Sequence, residues 1–177
     1  PGVTGMAFAS AGLERVRLCV FDAYGTLLDV HSAVATERQA LGERTGAVSE
    51  LWRRRQLEYT WLRSLMRTHR DFAGVTADAL DYALAAHGID DAALRERLLA
   101  AYRRLEAYPE VRETLRRLRG MGVRTAILSN GSPEMLDAAV ASAGIADLLD
   151  AVISVEEAGI FKPAPEVYAL ATRRFGV

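Results

Sequence analysis

Cysteine is almost missing from this chain: Cys19 is the only one among 177 residues. An internal disulfide framework is therefore excluded, and a reducing, cytoplasmic setting is expected. An excess of one charge is also lacking. The 22 Lys and Arg nearly balance the 23 Asp and Glu, for a formal net charge of −1, so the whole chain presents no basic footprint for nucleic acid. No stretch approaches the ~18 uncharged apolar residues of a membrane helix, and no membrane partner is expected. Repeats and low-complexity segments are absent. Met6-Ala7-Phe8-Ala9-Ser10-Ala11 has neither the basic start nor the long apolar run of a signal peptide, and residues 1–14 read as a mobile leader. Half of the chain is hydrophobic. That composition supports a substantial core, and the length fits one domain or one domain with an inserted subdomain.

Against that background one segment stands out. Phe21-Asp22-Ala23-Tyr24-Gly25-Thr26 follows the apolar run Val16-Arg17-Leu18-Cys19-Val20. The run reads as a buried strand of a parallel sheet, and Gly25 breaks it with freedom for φ > 0. In open α/β sheets, ligands sit outside the carboxyl ends of the strands. Asp22 is thus placed where a carboxylate can do chemistry, although an Asp at such a point also serves as a simple turn cap.

Residues 31–108 contain no convincing strand. Ser49 is expected to cap a helix from Leu51-Trp52 to Leu65-Met66, with Leu51, Tyr59, Leu62 and Met66 among its apolar positions. Thr76 is expected to cap a second helix that ends at Gly88. Asp90 or Asp91 opens a third, with Leu94, Leu98, Leu99, Tyr102 and Leu105 on one face. The α/β pattern resumes near Pro109. A helix is expected over 110–119, then a strand over 123–128 ending in Ser129-Asn130-Gly131. Ser132-Pro133-Glu134 is a helix start, with proline at the first position and an acid in the first turn. A third strand over 151–155, a turn at Gly159, Phe161-Lys162-Pro163 and a last helix over 166–175 complete the order.

This order delivers Asp22, Ser129-Asn130 and Lys162 to one edge of one sheet. Taken singly, Ser129 reads equally as a turn residue and Lys162 as a solvated cation. Taken together, a carboxylate kept ionised by an ammonium, with a hydroxyl and an amide opposite, is a nucleophile beside an anion pocket.

Asp22-x-Tyr24-Gly25-Thr26, Ser129-Asn130-Gly131-Ser132 and Lys162-Pro163 resemble motifs I to III of the haloacid dehalogenase superfamily, over roughly residues 15–177. The resemblance implies a Rossmannoid α/β core from 15–30 and 109–177, with a helical cap inserted at 31–108. Within the superfamily the chain looks most like the L-2-haloacid dehalogenases. Phosphatase members carry a second Asp where this chain has Tyr24; that acid protonates a leaving alkoxide, and a leaving halide needs no proton. Trp52-Arg53-Arg54-Arg55-Gln56-Leu57-Glu58-Tyr59-Thr60 is also similar to the dehalogenases, which place an Arg at the position of Arg53.

By that resemblance Asp22 attacks C2 of a short 2-halo acid and forms an ester. Arg53 and Asn130 meet the departing halide, and Ser129 with nearby backbone N–H groups holds the substrate carboxylate. Thr26 and Lys162 orient Asp22, Tyr168 hydrogen-bonds in the same network, and Tyr24, Leu57 and Phe72 wall the pocket. For Leu57 and Phe72, ordinary packing between cap and core is an equal reading. Arg54 and Arg55 read as solvated, and His31, His69 and His87 as surface or cap residues without ligand spacing. No metal or cofactor is implied; the expected partners are the 2-halo acid and a second copy of the chain. The family's fourth motif, with the acid that positions the hydrolytic water, and its C-terminal strands should follow Val177 and are absent from this sequence. That absence is expected to leave the first strand as a sheet edge. The alternatives are a Mg²⁺-dependent phosphatase of the same superfamily and an inactive binding module.

Overall fold

The computed structural model describes residues 16–177; the expected leader at 1–14 lies outside them. Three short parallel strands form one sheet: β1 (Leu18–Phe21), β2 (Arg124–Ser129) and β3 (Ala151–Ser154). The strand order is β1-β2-β3, with Phe21 opposite Ile127 and Ser129 opposite Ser154. β2 is paired on both sides, and all of it beyond Arg124 is buried, the polar Thr125 and Ser129 with the apolar Ala126, Ile127 and Leu128. Among the described residues β1 pairs only with β2, and Val20 is 40% exposed. β2 runs two residues past the partner of Phe21, and Asp22 and Ser129-Asn130 emerge at the same carboxyl edge of the sheet.

Between β1 and the helix that precedes β2, the described chain forms only helices and turns, apart from isolated bridges at Tyr24, Leu28 and Ala107. Two single turns, α1 (Ser32–Ala35) and α2 (Arg38–Leu41), lead into α3 (Thr45–Met66), α4 (Phe72–Ala86) and α5 (Ala92–Tyr102). After them come α6 (Val111–Gly120), α7 (Pro133–Ser142) and α8 (Pro165–Phe175), with α6 against β2 and α7 against β3. Val111, Leu115 and Leu118 of α6 are buried, at the positions the helical period selects.

Four expectations are corrected. Ser49 lies inside α3, which begins a turn earlier at Thr45; its hydroxyl is 2.7 Å from His31 Nδ1. Thr76 lies inside α4, whose cap is Asp71, accepting from the Gly74 N–H at 2.8 Å. Both are short polar residues that cap helices well yet also sit mid-helix when a partner is available. The inward stripe of α3 is not its most apolar one either. Val48, Ser49, Trp52, Gln56 and Thr60 are buried, whereas Leu62 and Met66 are more than half exposed. Asp91 does cap α5, accepting from Leu94 N–H at 2.9 Å, but that helix stops before Leu105, which is buried beyond its end.

Candidate active site

Asp22 stands one residue past β1, with its side chain 39% exposed. Lys162, in the loop between β3 and α8, places its ammonium 3.1 Å from Asp22 Oδ1 and also donates to the carbonyl of Leu128 at the end of β2. The lysine is therefore pinned between two strand ends. Asp22 Oδ2 accepts no hydrogen bond from the described residues and keeps its lone pairs for an electrophile.

The loop after β2 is fixed by its neighbours. Ser129 is fully buried, and its Oγ accepts from Gly131 N–H at 3.3 Å. Ser154, at the end of β3, donates to the Gly131 carbonyl at 2.6 Å. Asn130 Oδ1 accepts the Lys162 N–H at 3.0 Å. That contact identifies the amide oxygen, and among the described residues the NH₂ group donates to no acceptor. Gly131 is required by space: a Cβ there would come 2.7 Å from Tyr24 Cε2 and 2.9 Å from the Leu136 side chain.

From the helical side, Arg53 of α3 reaches the same rim. Its Nη2 donates to the Tyr24 carbonyl at 2.7 Å and its Nη1 to Gln56 Oε1 at 2.9 Å. Gly25 turns the chain beside it at φ +88°, a conformation that favours glycine. Tyr24 is 2% exposed, stacks on Tyr102 at 5.5 Å and meets Phe72 at a tilt, 5.4 Å between ring centroids. Burial above all, with Tyr102 and Asp22 beside it, pushes the Tyr24 phenol far above its ordinary range against the opposing pull of Arg53. The phenol stays neutral, and its buried hydroxyl has no hydrogen-bond partner among the described residues. The arrangement joins a carboxylate, an ammonium fixed beside it, a tethered guanidinium and an apolar aromatic wall.

Of the residues singled out above, Asp22, Tyr24, Arg53, Phe72, Ser129, Asn130 and Lys162 are gathered here. Phe72 joins the two layers, with Tyr24 on one side and Phe161 at 6.3 Å on the other. Leu57 is half-buried one turn beyond Arg53 and borders an open hollow of about 340 Å³ with His31, Glu50 and Trp61. Two residues do not act as expected. Thr26 is exposed, and its hydroxyl makes no hydrogen bond to Asp22. Tyr168 is 49% exposed and makes no side-chain hydrogen bond among the described residues, because α8 turns Val167, Leu170 and Ala171 inward and so presents Tyr168 to the opposite side. Arg55 is more than a solvated charge: it pairs with Glu58 at 2.6 Å and lies over the Tyr82 ring.

Four participants were not read as site residues from the sequence. Gln56, Thr76 and Tyr102 support Arg53 from behind, and Glu156 ties the two layers together. Only Gln56 was within reach of a local rule, since three residues after Arg53 puts it on the same helix face.

The fold and the rim define a class: an α/β protein with a carboxylate paired to a lysine at a strand end and a helical layer beside it. The chain belongs to the haloacid dehalogenase-like hydrolases, whose family pattern it matches over residues 16–177. It is 46% identical over 166 residues to (S)-2-haloacid dehalogenase 4A of Burkholderia cepacia, covering 93% of this chain and 72% of that one. A crystal structure of a dehalogenase superimposes with a TM-score of 0.90 at 47% identity, over 92% of this chain and 73% of the other. The L-2-haloacid dehalogenase from Xanthobacter autotrophicus with chloropropionic acid covalently bound gives 0.85 at 44% identity, over 92% and 66%.

Proposed function

We propose that this protein is an L-2-haloacid dehalogenase that hydrolyses short 2-halo acids to 2-hydroxy acids through an ester on Asp22. The observation that carries the reading is the Asp22 carboxylate, pinned by Lys162 on one side and overlooked by Arg53 on the other, with Tyr24 where a phosphatase would need a second acid. Similarity to enzymes named for the same reaction, one of them bearing chloropropionic acid covalently, supports it.

In the first half, an Asp22 oxygen forms a bond to C2 while the carbon–halogen bond breaks, inverting the centre. The bonding pair leaves with the halide. Negative charge moves from the carboxylate toward the halogen, and there Arg53 and the free NH₂ of Asn130 stabilise it as it develops. Ser129 and the backbone N–H groups of its loop hold the substrate carboxylate, and the neutral aromatic wall of Tyr24 and Phe72 keeps water from the halogen. In the second half, water adds to the ester carbonyl, and the 2-hydroxy acid departs with an oxygen that belonged to Asp22. The helical layer over residues 31–108 serves as a cap over the core, and we assign the protein to the cytoplasm as a homodimer. Its single cysteine and the exposed apolar end of α3 support that assignment.

Single-turnover reaction with L-2-chloropropionate in ¹⁸O-water, with excess EDTA present, tests this. The expected first product is unlabelled, the label stays in the Asp22 carboxylate, and chloride is released despite the chelator. Label in the first product would show direct attack by water. Turnover that collapses on chelation and returns with Mg²⁺ would transfer the reading to a phosphatase, and release of neither chloride nor phosphate to a binding module.

A further inference from the structure

Behind the Arg53 guanidinium lies a polar chain that the reaction as described leaves unused. Gln56 is fully buried on α3, Thr76 is 2% exposed on α4 and Tyr102 is 3% exposed on α5. Three polar side chains from three helices, set in an apolar core, are stable only when each hydrogen bond is satisfied. Here the direction of each bond follows from chemistry. Thr76 Oγ1 donates to the Phe72 carbonyl at 2.7 Å, so it accepts from its other neighbour. That neighbour, Gln56 Nε2 at 2.7 Å, must therefore be the amide nitrogen. Gln56 Oε1 is then the acceptor, and it takes Arg53 Nη1 at 2.9 Å and Tyr102 O–H at 3.1 Å. The tethers leave the guanidinium few choices. One nitrogen is held by the Tyr24 carbonyl on the core and the other by Gln56 on α3.

We propose that Gln56 is a positioning residue: through the buried Thr76–Gln56–Arg53 chain it aims the Arg53 guanidinium at the departing halide. An arginine side chain has many rotamers, and fixing it before the reaction is what makes its charge effective in the transition state. A neutral acceptor suits this task. A carboxylate at position 56 would hold the guanidinium equally well but neutralise it, and would face Thr76 Oγ1 with a second acceptor. The amide holds Arg53 without cancelling its charge. This rests on the dehalogenase reading for its kinetic consequence, whereas the position of the guanidinium does not depend on it.

Three variants separate the effects, each checked first by thermal unfolding. Gln56→Leu keeps the volume and removes the tether. Its kcat for L-2-chloropropionate is expected to fall at least tenfold with KM within threefold, and its crystal structure to show the guanidinium turned from its place beside the Tyr24 carbonyl. Gln56→Glu keeps the shape and adds the charge. The groups facing position 56 are Arg53 on its own helix, Thr76 from α4 and Tyr102 from α5, with Tyr24 and Asp22 beyond Arg53. A protonated glutamic acid restores the donor to Thr76 and a neutral oxygen to Arg53. Activity of this variant, relative to the parent, should therefore rise as pH falls, an acid-side limb that a merely structural glutamine would not create. Tyr102→Phe, which removes one donor and leaves the tether, should lose less than Gln56→Leu. A folded Gln56→Leu protein with kcat within twofold of the parent, an unmoved guanidinium, or a Gln56→Glu profile superimposable on the parent's would each overturn the inference. If the parent released no halide, the reaction assignment would fall, and the guanidinium position in Gln56→Leu would still decide the role of Gln56.

Discussion

At the scale of single residues, Arg53 shows what an aimed charge means. Three arginines follow one another at positions 53 to 55, and only the first touches the core, through the Tyr24 carbonyl. Arg54 is exposed, and Arg55 is occupied by Glu58 and the Tyr82 ring. Arg53→Ala should therefore lower kcat about 100-fold or more, the scale of losing one transition-state donor, with a smaller change in KM. Arg54→Ala and Arg55→Ala should leave kcat within about twofold. Steady-state halide release measures all three, and equal losses would mean a diffuse basic surface. The pairing of the Asp22 carboxylate with the Lys162 ammonium was legible in the sequence, because strand ends and post-strand loops of an α/β sheet converge on one rim. Among the described residues the hydroxyls of Thr26 and Tyr168 make no hydrogen bond to Asp22, and side-chain direction, which strand order does not carry, decides that. Tyr168 shares α8 with Val167 and Leu170, and it is the helix phase that turns it outward.

The elements teach a second lesson through α3. Leu62, Leu65 and Met66 are the residues a search for apolar spacing selects, yet they are exposed, while Gln56 and Thr60 lie inside. Hydrophobic period is a reliable guide only where burial is apolar. In α3 the inward stripe is stabilised in part by hydrogen bonds to residues 20 and 46 positions away, and no local pattern reveals those. The start of α4 carries a comparable long-range tie. Its first backbone donors would be orphaned at a buried end. Asp71 satisfies the Gly74 N–H, and Glu156, from the 3₁₀ turn after β3, satisfies the Phe72 N–H at 3.3 Å. The same carboxylate lies 2.7 Å from His69 Nε2, so one core side chain holds both the loop before α4 and its first turn. Negative charge at a helix N-terminus is favourable in itself. Glu156→Ala should lower stability by roughly 1–3 kcal/mol, the range for hydrogen bonds to a charged group, as read by urea unfolding at neutral pH. Glu156→Gln, which keeps an acceptor, should recover part of the loss. An unchanged midpoint for the alanine variant would show that the tie contributes nothing.

For the molecule as a whole, the remaining question is what covers the far end of α3. Trp61, Leu62, Leu65 and Met66 are 48%, 51%, 81% and 61% exposed. Their spacings of three to five residues place them side by side on the last turns of the helix, and contiguous apolar surface of this kind marks an interaction site more often than free surface. A second copy of the chain is the simplest occupant, since a two-fold axis pairs one patch with itself. The patch lies along the helix from the chemistry. Leu65 is twelve residues from Arg53, about 18 Å at the helical rise, so a charge there should break association without reaching Asp22. Light scattering at micromolar concentration should find the parent protein at twice the mass of one chain, and Leu65→Glu at the mass of one. Halide release per chain should stay within about threefold, because Asp22, Arg53, Asn130 and Lys162 are brought together within one copy. A parent protein that runs as a single chain at these concentrations would remove the dimer and leave the patch to another partner. A Leu65→Glu variant that loses both its partner and its turnover would show that the second copy holds α3, and with it Arg53, in place.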